Sequence, residues 1–73
     1  MKSEEFEREF WRIAIDQQRN HEEVKVLVEF ANGNIECNRY VISSWNFVSL
    51  YNKFNDFSIV TKIDAIVKIT KVE

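Results

Sequence analysis

His21 and Cys37 are the only histidine and the only cysteine in the chain, so they are the only residues that could together form a thiol-imidazole nucleophile. No motif surrounds either one. His21 lies in the wholly polar run "QQRNHEE", and Cys37 lies in a strand-like stretch; the pair therefore reads as a solvated imidazole and a structural thiol. Glu22 and Glu23 adjoin His21, but a metal centre needs ligands that converge, and a short charged turn does not provide them. Gly33 is the only glycine, so no glycine-rich loop can cradle a phosphate. An enzyme is not expected, nor are a metal or a cofactor. Binding is the function class left, and the uncharged run "SSWNFVSLYN" (Ser43 to Asn52) sets Trp45, Phe47 and Tyr51 among small polar residues in a chain that is 30% charged.

The elements that position these residues belong to one small unit. Seventy-three residues leave a large fraction of the surface in water, which makes association with a copy or a partner a reasonable expectation. The hydrophobic content of 45% and aromatic content of 14% are rich enough for a core and argue against disorder. Ten basic against twelve acidic residues give a net charge of −2, so any nucleic-acid contact must be local rather than spread over the molecule. A lone cysteine and no leader pattern in "MKSEEFEREF" point to a reducing interior, with the cytoplasm as the expected compartment. The longest uncharged stretch, Tyr40 to Asn52, is broken by serines and asparagines, and no apolar run approaches the roughly 20 residues that cross a bilayer.

Ser3 followed by Glu4 and Glu5 predicts a helix start, and the helix is expected over about residues 3–19. Phe6, Phe10, Ile13 and Ala14 fall on one stripe, Glu4–Arg8 and Arg12–Asp16 are spaced as i,i+4 pairs, and Trp11 with Ile15 lies on a second stripe well round the helix. Strands are expected at about 24–31, 35–42, 46–52, 57–63 and 65–72, with Asn32-Gly33 as a hairpin turn and "NKFND" as the turn before the fourth strand. One helix and five strands with no linker predict a single domain over 1–73. It is mainly β with one N-terminal helix, and the expected architecture is a five-stranded antiparallel small barrel of Sm-like or SH3-like type, capped by the helix. An open sheet with one helix across it is the rival architecture.

On these residues the chain resembles the Sm-like family, and within it the Hfq-like RNA chaperones. The strand "VKVLVEFANG" resembles the family's Val-x-Val strand ending in Asn-Gly, and "NFVSLYN" and "AIVKI" resemble two of its later strands. Asn46 and Phe47 look like the family's Gln-Phe pair, while "TKIDAI" departs from the family's Tyr-Lys-His run before Ala-Ile, with Lys62 shifted by one position and no histidine. The resemblance implies a homo-oligomeric ring that binds single-stranded RNA rich in U or A, with Asn46, Phe47 and Lys62 as the pocket. A reading of a different class comes from the aromatic residues and the low charge. It is a small acidic protein-interaction module, such as a phage or mobile-element regulator, docking on a larger protein through Trp11, Ile15 and Trp45.

Overall fold

The first segment is helical because its apolar residues recur on one stripe and its first turn is acidic; α1 spans Ser3–Arg19 in a computed structural model that describes residues 1–72. Phe6, Phe10, Ile13, Ala14 and Gln17 are its buried residues. The cap position falls on Lys2 rather than Ser3, with no side-chain cap, and the Phe6 N–H donates to the Lys2 carbonyl at 2.9 Å. Arg12 pairs with Glu9 at 3.0 Å instead of Asp16. At the far end the Gln17 amide donates to the Lys25 carbonyl and accepts from the Lys25 N–H, both at 3.0 Å, so a buried polar side chain ties the helix to the strand that follows.

Six strands follow: β1 (Val26–Phe30), β2 (Gly33–Cys37), β3 (Arg39–Ser44), β4 (Phe47–Asn52), β5 (Phe57–Lys62) and β6 (Ile66–Lys71). The β1–β2 hairpin closes through Ala31 and Asn32, because Gly33 already pairs with Phe30. All pairings are antiparallel, in the orders β2-β1-β6 and β3-β4-β5. The core is shared. Val26, Val28, Cys37, Ile66 and Ile69 come from the first sheet, Val48 and Leu50 from the second, and Phe6, Phe10, Ile13 and Ala14 from the helix. Each large apolar side chain so buried contributes about 1.5–3 kcal/mol.

The five-stranded barrel is not what forms. There are two separate three-stranded sheets, and neither closes on itself. Two local features explain this. The strand expected over 35–42 is broken at Asn38: Cys37 pairs with Val26 in the first sheet, but the Asn38 N–H donates to the Tyr51 carbonyl and Arg39 pairs with Tyr51 in the second. The Asn38 side chain secures the switch by accepting from the Lys53 N–H at 3.1 Å. Between β5 and β6 a 3-10 turn, Ile63–Ala65, swings the chain from one sheet to the other around the fully buried Ile63. The helix therefore spans the two sheets rather than plugging a barrel end: it packs on β1 and β6, while the Phe6 and Phe10 rings meet Tyr40 of β3 edge-on at 4.9 and 4.7 Å. Asn52 adds a second tie by donating to the Glu36 carbonyl of β2 at 3.2 Å.

Candidate functional site

Strand alternation gives the second sheet two faces with different work. Tyr40, Ile42, Val48 and Leu50 turn toward the core. The opposite face is then set by register in three cross-strand rows: Arg39, Tyr51 and Ser58; Val41, Ser49 and Val60; and Phe47 beside Lys62, with Ser44 on its other side. No carboxylate stands in these rows. From Asn38 to Ile63 the chain holds Arg39, Lys53 and Lys62 against Asp56 alone, a net +2, so the remainder carries −4 of the total −2. A chain acidic as a whole thus presents one locally basic, aromatic sheet face.

Along this face one ring is exposed and one is capped by a cation. Phe47 is 37% exposed, and the Arg39 guanidinium stacks over the Tyr51 ring, 4.6 Å from its centroid. At the β3–β4 turn Trp45 is 85% exposed, the most open of the large apolar side chains. The turn is held because the Ile63 N–H donates to the Asn46 carbonyl at 3.0 Å. A depression of about 400 Å³ lies beside it, between Trp45, Asn46 and Asp64 and the helix start at Met1–Glu4. At the other end of the sheet a second depression of about 360 Å³ is bordered by Arg39, Tyr51, Lys53, Asp56 and Ser58.

Of the residues expected to bind RNA, the fold brings all three together: Phe47 and Lys62 are direct cross-strand partners, and Asn46 precedes Phe47. The residues expected to dock a protein are divided. Trp11, 48% exposed, donates from its indole N–H to the Tyr40 hydroxyl at 2.9 Å, and Ile15 stands one turn further along α1. Trp45 lies five residues beyond Tyr40, about 16 Å along the strand direction, so it belongs to another part of the surface. Arg39, Tyr51, Val41 and Val60 complete the face and were not expected there. Their signal is the alternation within "RYVISS", "FVSLYN" and "FSIVTK", legible only once the strand break at Asn38 and the register are known.

Cys37 is fully buried, and its thiol is pushed up to about 12, first by burial and then by the nearby Glu36 charge. A thiol held neutral in this way is a packing group, not a nucleophile. His21 is exposed just after the helix. No three His, Cys, Asp or Glu side chains converge among the described residues. No helix among them is long and apolar enough to cross a membrane. No family model, no curated protein and no solved structure matches this chain, so its site is read from its own geometry.

Proposed function

We propose that the protein is a non-enzymatic single-stranded RNA-binding protein of a reducing compartment such as the cytoplasm, and that RNA lies on the outer face of β3-β4-β5. The observation that carries this reading is the conjunction, in cross-strand rows that hold no carboxylate, of the exposed Phe47 ring beside Lys62 and of Arg39 stacked on Tyr51. Rings stack unpaired bases whatever their sequence, and the cations neutralise phosphates along the same track. Asn46 supplies an amide able to bond a base edge beside the Phe47 ring. The resemblance of "NFVSLYN" and "AIVKI" to Sm-like strands supports the same ligand and adds assembly into a ring; the face itself lies within one chain.

Fluorescence anisotropy with labelled oligoU and oligoA at low salt tests this, since phosphate contacts are strongest there. Wild type should bind, and Phe47→Ala should lose about 1–3 kcal/mol of affinity, roughly 5- to 150-fold, while its thermal unfolding stays cooperative. Wild type that ignores both oligonucleotides removes the RNA reading.

A protein partner is the second reading, favoured by the exposure of Trp45, since solvated tryptophans anchor interfaces. It predicts a defined complex in pull-downs that Trp45→Ala abolishes and nuclease treatment leaves intact.

A further inference from the structure

The β1–β2 turn carries a reactive pair that neither reading of the second sheet uses. Gly33 pairs with Phe30, so Asn32 is the last residue of the loop and Gly33 the first of β2. Ala31, Asn32 and Gly33 are all exposed, and nothing stands within 4 Å of where a Gly33 side chain would begin. A Cβ hinders the approach of the preceding side chain to a residue's own backbone nitrogen, and glycine has none. Each of the other six asparagines is followed by a residue that does carry one, and the Asn38 and Asn52 side chains are held in hydrogen bonds.

We propose that the chain modifies itself at this turn, Asn32 closing onto the Gly33 nitrogen and reopening as isoaspartate without an enzyme. The Gly33 N–H gives its proton to hydroxide, and the nitrogen attacks the Asn32 side-chain carbonyl carbon, Cγ. As that bond forms, the bond from Cγ to Nδ2 breaks, and the amide nitrogen takes a proton from water and leaves as ammonia. A five-membered imide remains. Water then breaks one of its two ring C–N bonds: cleavage at the main-chain carbonyl gives isoaspartate, and cleavage at Cγ gives aspartate. The attack requires the Phe30–Gly33 pair to open, which loop tips and fraying ends do at little cost.

Isoaspartate routes the main chain through Cβ and Cγ, which lengthens the turn and adds one negative charge to a chain of net −2. The turn sets the register of β1 on β2, in which the buried Val26 faces the buried Cys37. Modification therefore loosens the first sheet, whatever the β3-β4-β5 face binds.

The test is ageing of the full chain in mildly alkaline buffer at body temperature. Peptide mapping by mass spectrometry should find the exchange of NH2 for OH at Asn32 alone, in two products of equal mass with isoaspartate the larger. Protein isoaspartate methyltransferase with labelled S-adenosylmethionine should methylate the aged chain and not the fresh one. Asn32→Gln would have to close a six-membered ring, so it should lose the label while keeping the circular dichroism spectrum of wild type. Fresh Asn32→Asp carries the charge without the longer backbone, and aged wild type should unfold at a lower denaturant concentration than this variant. An Asn32 that stays intact in buffer overturns the proposal, even if it reacts in urea, because the folded hairpin then protects it. Modification spread evenly over the asparagines overturns it as well, since the turn would then confer nothing.

Discussion

Lys68 of the sheet β2-β1-β6 stands 3.8 Å from Glu29, and Lys71 reaches Glu22 at 3.6 Å, whereas no ion pair joins strands of the sheet β3-β4-β5 among the described residues. The first sheet also lies under the helix, which packs on β1 and β6. Exposed pairs of this kind add about 0–1 kcal/mol each, so the charges of the first sheet matter less for stability than for keeping its edge single. The second sheet contributes Val48 and Leu50 to the same core but leaves its other face apolar, aromatic and locally basic. Two sheets thus share one core, and their outer faces differ in charge: ion pairs in the first, a locally basic aromatic face in the second.

The largest expected effect asks whether the open sheet is as firmly docked as the closed one. Leu50→Ala should cost about 2–5 kcal/mol by denaturant titration, since Leu50 is fully buried; a loss below about 1 kcal/mol would mean that the second sheet packs loosely.

Cys37, at the end of β2, sharpens the comparison from the other side. Its folded pKa of about 12 lies above its ordinary value of 9.0, so the neutral thiol is favoured in the fold. This contribution is complete below pH 9 and is lost as the pH rises toward 12, with a slope of up to about 1.4 kcal/mol per pH unit. Unfolding titrations between pH 8 and 11 should show the advantage of wild type over Cys37→Ala shrinking with pH. A constant difference would mean that the thiol is not desolvated.

Smaller effects belong to the open face. Lys62→Gln should leave stability within about 0.5 kcal/mol of wild type and lower the salt slope of RNA binding by about one phosphate contact. An unchanged slope would take Lys62 off the RNA track.

Local periodicity already specifies much of this molecule. The spacing of Phe6, Phe10, Ile13 and Ala14 marks the face of α1 that is buried, "NKFND" marks the turn before β5, and "NFVSLYN" marks an uncharged strand of alternating character. These are short-range properties, set by neighbours within one or two turns of chain. The division into two sheets is not of this kind. Nothing near Asn38 says that its N–H will go to Tyr51, thirteen residues away, or that the chain leaves β1 at that point for β4. A strand read as continuous over 35–42 therefore hides a corner, and with it the separation of the sheets. The same holds for the candidate site. Asn46, Phe47 and Lys62 can be chosen by residue type and resemblance, but the placement of Arg39, Tyr51, Val41 and Val60 on their face follows from cross-strand register. Register is fixed by which side chains the shared core accepts from distant segments, and a one-residue slip would turn every one of them to the other side.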